Sequence, residues 1–343
     1  MNRIESVDSV RLLAIISVIA IHTEPFFYQT LGSKVYFHLE VVINQFARFA
    51  VPFFFVISGY FWGLKIRSGK HLLVATNKMG FRIICIFLVW SLIYLLPYNL
   101  SIIHEIGILS AMEVACSNLL VLLREPGVML LEGTKGHLWF LVGLLFALYI
   151  SFLFVNRNAE KLLLVFSVFL YIAGVLLKSY SDSPVGYSVD FNTRNGPFFS
   201  TLLFSSGYFI SRYRPNLSWF NYGLITFVFG VLLHFTEIYM LNKFYGTSTV
   251  QDYVFGTYLM GFGAAVLSLS NHSLLRVKAL SRFGQMVLGV YAVHIIFVDI
   301  ARPIDMIIDS IWWELGYVLL VLILSIVSVV WMSKVPILKR VVS

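Results

Sequence analysis

Charge is scarce in this sequence. Asp, Glu, Lys and Arg make up 12% of its 343 residues, whereas 59% are apolar. Soluble domains carry roughly a quarter charged residues, so this balance excludes an ordinary soluble fold. Only two cysteines are present, Cys85 and Cys116. They allow one bridge at most and leave the compartment open. No Pro/Gly-rich polar linker longer than a loop interrupts the apolar runs between residues 10 and 332. A pair of soluble domains is thereby excluded, and residues 1–343 read as one membrane domain with no appended soluble domain. The first apolar run lacks a small-residue cleavage site, being followed by His22, Thr23, Glu24 and Pro25. It reads as a retained span, not a removed signal. There is also no internal repeat and no low-complexity tract.

What remains is hydrophobic helix. Mean hydropathy is +0.85, and a helical span needs about 20 mostly apolar residues. The fold class expected is all-α, a polytopic integral membrane bundle of about ten helices. The spans fall near 10–28, 41–64, 81–100, 137–155, 161–180, 197–213, 219–241, 251–270, 283–301 and 310–332. With the amino terminus inside, 17 of the 25 Lys and Arg residues lie on the inner side, Arg3 and Arg340 among them. The positive-inside rule then places both termini in the cytoplasm. The formal net charge of +8 reports this orientation and not a nucleic-acid partner. Residues 101–136, the longest outer connection, read as two short amphipathic pieces around the break at Glu125, Pro126 and Gly127, with Ile102, Ile106, Leu109 and Met112 on the apolar face of the first. Such a segment reads as a lid or platform on the outer face or as a plain interfacial helix, the latter favoured.

Ionisable side chains at membrane depth cost roughly 2.5–3.5 kcal/mol each on the insertion scale, which makes them candidates for function. Arg11 and His22 are eleven helical steps apart, which is three turns plus 20°. They share one face of the first span, about 16 Å apart along its axis. That spacing suits a long ligand with an anionic end at Arg11 and a reactive end at His22. The alternatives are a topology anchor and a packed histidine. Arg48 precedes the run from Val51 to Tyr60, where Pro52 frees a backbone carbonyl and Ser58-Gly59 allows close helix approach, so this run can line a cavity. Lys135, His137 and Trp139 stand at the outer entrance of the fourth span, where Trp is ordinarily part of the interfacial belt. Arg194 and Asn195 precede the sixth span. Tyr291 and His294 lie a turn apart in the ninth. No metal-ligand set is expected.

Together these residues form a pattern. Asp8-Ser9-Val10-Arg11 leads to His22. Arg48 precedes Val51-Pro52 and the run Phe54 to Tyr60. His137-Leu138-Trp139-Phe140-Leu141, Arg194-Asn195 before Ser206-Gly207-Tyr208, and Gly289 to His294 follow in order. In this the sequence resembles the acyltransferase-3 family of membrane-bound acyltransferases. It departs in having Ser9 where many relatives have Gly or Asn, and the extracytoplasmic hydrolase-like domain that some members carry is not expected in residues 1–343. The resemblance implies transfer of an acyl group, commonly acetyl from acetyl-CoA, to a sugar hydroxyl of a surface glycan such as O-antigen, capsule or exopolysaccharide, or of its lipid-linked precursor. The setting it implies is the bacterial inner membrane.

On that scheme coenzyme A docks at the basic inner face, its phosphates met by Arg11 and by loop residues such as Arg82. His22 is the general base, and Arg48 steadies the oxyanion or the thioester carbonyl. Ser58, His137, Trp139, Arg194, Tyr291 and His294 line the cavity or the acceptor site. An acyl-histidine intermediate is the competing mechanism. A transporter or flippase for a glycan or lipid intermediate, with Arg48, His22 and His294 binding the cargo, is the alternative from another class.

Overall fold

The computed structural model describes residues 3–26, 34–98, 100–305, 307–308 and 310–342. Among these every regular element is a helix. In chain order they are α1 (Glu5–Thr23), α2 (Lys34–Ala47), α3 (Ala50–Arg67), α4 (Leu72–Ile93), α5 (Leu100–Arg124), α6 (Pro126–Glu132), α7 (Trp139–Asn156) and α8 (Glu160–Leu176). The second half holds α9 (Pro197–Ile210), α10 (Ser218–Tyr245), α11 (Phe255–Leu269), the single turn α12 (Lys278–Ser281), α13 (Val287–Asp305), α14 (Ile311–Met332) and α15 (Pro336–Val342). The chain is a multi-pass membrane protein.

Each of the ten apolar runs is helical, the second as two helices, and among the described residues seven helical stretches are long and apolar enough to cross a bilayer by length and composition. α8, α9 and α11 have 17, 14 and 15 residues. α9 falls short because it is a core helix: Phe199 to Tyr208 are buried without a gap, enclosed by α3, α7 and α8. Protein, not lipid, sets its length.

Charge also misplaced two boundaries. The first helix starts at Glu5, not Val10, and stops at Thr23, where Glu24 turns left-handed at φ 48° and donates its N–H to the Ala20 carbonyl. Residues 27–28, the expected end of that span, lie outside the described residues. The third expected span is α4, which starts at Leu72, so Lys78 and Arg82 lie inside it. Arg82 is thus not a loop residue. These charges are tolerated in a helix because they face a wet cavity, described below.

The second span is broken at Arg48 and Phe49, between α2 and α3. Pro52 falls in the first turn of α3, where helical N–H groups have no intrahelical partner in any case. The carbonyl four residues before Pro52 is that of Arg48, at the break. In the long connection the chain breaks at Glu125, just before Pro126, as expected, but α5 is one helix of 25 residues, not a short piece. The side chains of Ile102, Ile106 and Leu109 lie outside those described. Cys85 and Cys116 are both free thiols.

One continuous apolar cluster joins most of these helices. At its centre α3 and α9 touch backbone to backbone: a Cβ at Gly59 would overlap the Phe204 carbonyl, and one at Gly207 the Val56 carbonyl. Overpacking of this kind costs about 1–3 kcal/mol or more. Gly59→Ala and Gly207→Ala are therefore each expected to lower the thermal midpoint of the protein in detergent, whereas Gly127→Ala, whose Cβ would meet nothing within 4 Å, is expected to leave it unchanged.

Candidate active site

A cavity of about 810 Å³ is walled by α1, α3, α4, α7 and α13. Its lining follows helical stripes: Arg11 and Val18 on α1; Val51, Phe54, Ser58 and Lys65 on α3; Phe140, Leu141 and Leu144 on α7; Val287, Leu288 and Tyr291 on α13. On α3 the stripe from Val51 to Lys65 covers about 21 Å at 1.5 Å per residue. The cavity is therefore a long shaft.

Its two ends differ in chemistry. At the mouth stand Lys65, Lys70, His71, Lys78, Arg82 and Arg11, with no carboxylate in the lining. Lys70, His71, Lys78 and Arg82 are solvent-exposed. Arg11 is held by its bond to Asp8, 3.0 Å away, and by the Phe61 ring. The wall above them is apolar, and the shaft ends at Phe140 and Tyr291, both buried.

Three imidazoles lie just beyond that closed end. His22 follows Val18 by one turn on α1, and His294 follows Tyr291 by three residues on α13, so each extends the stripe that lines the shaft. The ring centres of His22 and His294 are 5.3 Å apart, those of His22 and His137 6.2 Å, and those of His137 and His294 5.4 Å. His22 itself is half-buried, whereas His137 and His294 are buried.

The surroundings fix these rings from several directions. Arg302 donates to the His22 carbonyl (3.3 Å), tying the end of α1 to α13. His137 sits in the 3₁₀ turn that starts α7, with its carbonyl accepting from the Tyr291 hydroxyl and its ring edge-on to Tyr94. Lys135 reaches Asp299 at 2.5 Å. His294 Nδ1 lies 2.7 Å from the Tyr291 carbonyl. A carbonyl only accepts, so Nδ1 carries the proton and Nε2 keeps its lone pair. That Nε2 and both ring nitrogens of His137 have no hydrogen-bond partner among the described residues. Unmet buried polar atoms cost about 1–3 kcal/mol each. Their retention beside a cavity marks a reactive or ligand-holding place.

On the far side of the imidazoles is an ion cluster that the sequence reading missed. Asp252, in the loop before α11, meets Arg194 at 2.8 Å, Arg48 at 3.2 Å and Lys178 at 3.8 Å. Burial alone would raise its carboxyl, but those three cations and the Asn192 amide hold it below the ordinary aspartate range. Arg48 also donates to Asn44 Oδ1. The charges of Arg48, Arg194 and Arg302 reach His22.

Of the residues singled out from sequence, Arg11, Arg82, Ser58 and Tyr291 line the shaft. His22, His137 and His294 gather at its end. Arg48, Arg194 and Trp139 do not line it. Trp139 is no belt residue: it is buried, with Arg194 over its ring at 4.8 Å and Phe55 and Phe199 beside it. In the sequence the lysines of the mouth carry only a topology signal; the fold brings them to the cavity. Asp252 was traceable as a carboxylate at the edge of an apolar run, on the same side of the membrane as Arg48, Lys178 and Arg194. Among the described residues no group of three or more His, Cys, Asp or Glu is placed to hold a metal ion.

Comparison with known proteins decides the family. A family described as an acyltransferase domain, acyltransferase-3, matches residues 4–332, nearly the whole chain. The chain belongs to the acyltransferase-3 family. Two curated relatives, both named amino-acid racemase and both from Enterococcus faecalis, are 28% identical to it over 253 and 244 residues, covering 70% and 66% of this chain. The chain spans about a third of their length, 34% and 31%. No solved structure matches. Within this acyltransferase-3 protein the shaft, the imidazoles and the Asp252 cluster follow one another along the bundle.

Proposed function

We propose that this protein transfers an acyl group, acetyl from acetyl-CoA, from the cytoplasmic side to a sugar hydroxyl of a cell-surface glycan or its lipid-linked precursor. O-antigen, capsule and exopolysaccharide are the glycans in view, and the bacterial inner membrane, with both termini in the cytoplasm, is the setting. One observation carries this reading: a shaft whose mouth is lined by Lys and Arg without a carboxylate ends against three imidazoles, and both ring nitrogens of His137 and Nε2 of His294 are buried with no hydrogen-bond partner among the described residues. A donor with a polyphosphate head and a long arm ending in a thioester fits that order of chemistry. Family membership supports the reaction type.

The phosphates meet Lys70, Lys78, Arg82 and Arg11 as charge-assisted pairs. The arm lies along Val18, Phe54 and Leu144, with its thioester toward Tyr291. His22 takes the proton of the acceptor hydroxyl as that oxygen attacks the carbonyl carbon. The carbon–sulfur bond then breaks, the thiolate takes the proton from His22, and an ester and a free thiol leave. Arg48, Arg194 and Arg302 supply a fixed positive field for the oxyanion. Arg48 does so while paired with Asp252, so its part is the field of a held charge. Tyr291 and Ser58 line the arm's path, and His137, His294 and Trp139 shape the reacting end.

The deciding experiment uses the full chain in lipid nanodiscs with acetyl-CoA and follows thiol release. Release that requires an added glycan acceptor, with acetyl recovered on the glycan, is the expected result. Glycan movement across vesicles without thiol release would replace this reading with transport.

The mouth carries its own prediction. A hydrogen bond to a charged partner contributes about 1.5–3 kcal/mol, so Arg82→Ala should weaken coenzyme A binding about 10- to 100-fold. Equilibrium binding of labelled coenzyme A to nanodiscs measures this, and affinity should fall steeply with added salt.

A further inference from the structure

A second cavity, of about 490 Å³, opens between the loop that follows α8 and the loop that precedes α11. Arg48 and Asp252 form part of its wall. Arg48 lies 17 residues before Lys65, so this cavity is about 25 Å from the basic mouth along α3. It lies on the same side of the imidazoles as the Asp252 cluster, the side away from the shaft.

Its chemistry is unlike that of the shaft. The lining is mostly hydroxyl, amide and charged groups, with few apolar residues, Phe191 the largest. An acyl chain or lipid tail has no wall to bury against. Nor does one sign of charge dominate: Arg48, Lys178, Asp182, Asp190 and Asp252 sum to a formal −1. A polyphosphate is thereby disfavoured. Arg48 is already spoken for by Asp252 and Asn44, and Asp182 and Asp190 make no ion pair among the described residues. Thr247 is 5% exposed, and its hydroxyl has no hydrogen-bond partner among them. Phe191, 48% exposed, offers an apolar face at the cavity. Donors and acceptors mixed in this way match the hydroxyls of a sugar, each of which both donates and accepts. The two unpaired carboxylates oppose an anionic one.

We infer that this cavity is a saccharide-binding site that accepts an uncharged sugar unit and discriminates against acidic sugars. The inference rests on the transferase reading for its purpose, placing the acceptor beside His22, but its test does not require transfer. The full chain in nanodiscs is titrated, without donor, with neutral methyl hexosides and with the matching methyl hexuronides, followed by saturation-transfer NMR. L-Serine serves as a hydroxyl-bearing zwitterion for comparison. At least one neutral hexoside is expected to bind saturably, and its hexuronide at least about tenfold more weakly. Asp182→Ala/Asp190→Ala should reduce that discrimination to near unity. Lys178→Ala should weaken the neutral sugar about tenfold, with coenzyme A binding at the other cavity unchanged as the check on folding.

Equal or tighter binding of the hexuronide overturns the inference. So does binding of serine alone, or no binding of any probe. If the sugars bind as stated while thiol release never depends on a glycan, the site stands and the transferase reading falls. If transfer occurs but the Asp182, Asp190 and Lys178 variants handle neutral and acidic sugars as the parent does, the site falls and the transferase reading stands.

Discussion

Replacing His22 with alanine is expected to lower glycan-dependent acetyl transfer by about 10²–10⁴-fold, the usual contribution of a positioned general base. Coenzyme A binding should persist, because His22 lies beyond the residues that line the shaft. Abundance in the membrane should also persist, since among the described residues the side chain of His22 makes no hydrogen bond and meets the His137 and His294 rings, while its backbone carbonyl still receives Arg302. This combination separates a chemical role from a packing role. A packed histidine would lose stability and binding together with activity. Retained transfer in His22→Ala would remove it from the reaction. Arg11→Ala should act differently, since Arg11 stands at the mouth: coenzyme A affinity falls, and at saturating donor the rate recovers. Rapid quench with radiolabelled acetyl-CoA and no acceptor distinguishes the two routes open to His22. Direct transfer predicts no protein-bound label. An acid-labile adduct that is absent from His22→Ala would establish the acyl-histidine route instead.

Why Arg11 and His22 were legible in the sequence while their neighbours were not is a matter of distance along the chain. Eleven steps of one helix fix a shared face by periodicity alone, and α1 runs unbroken from Glu5 to Thr23. The partners of His22 come from residues 137 and 294, and no local rule brings three helices to one point. Hydropathy placed helix in each of the ten apolar runs, but it does not by itself tell a core helix such as α9 from a spanning one, because both are apolar. Charge misled in the opposite sense. Lys78 and Arg82 read as the boundary of a membrane span, although a helix continues through charged residues when they face water inside the protein. Arg48 was found as a cation at depth, but its carboxylate is 204 residues away. The single carboxylate held by three cations is a property of tertiary structure.

That carboxylate is where the largest loss of stability is expected. Removing one partner of a buried ion pair costs about 3–5 kcal/mol, because the other charge is left unmet. The side chains of Arg48, Asp252 and Arg194 are 14%, 17% and 21% exposed, so some water remains and the low end of that range applies. Asp252→Asn leaves Arg48, Arg194 and Lys178 facing one another and should lower the unfolding free energy by about 3 kcal/mol, read as a fall in thermal midpoint. Pairing it with Arg194→Gln should cost less than the sum of the two changes, with a coupling within about 0.5–3 kcal/mol. Acid should do what the substitution does. The Asp252 carboxyl titrates below its ordinary value in the folded chain, so the unfolded chain binds more protons around pH 4 and below. The stabilisation is complete above the ordinary aspartate value of about 3.9 and is lost as pH falls through the lower folded value. Thermal midpoints measured from pH 7 down to pH 3 should therefore fall more for the parent than for Asp252→Asn, which has no proton to take up at this position. Parallel acid profiles would mean that Asp252 is not the group that holds the three cations together.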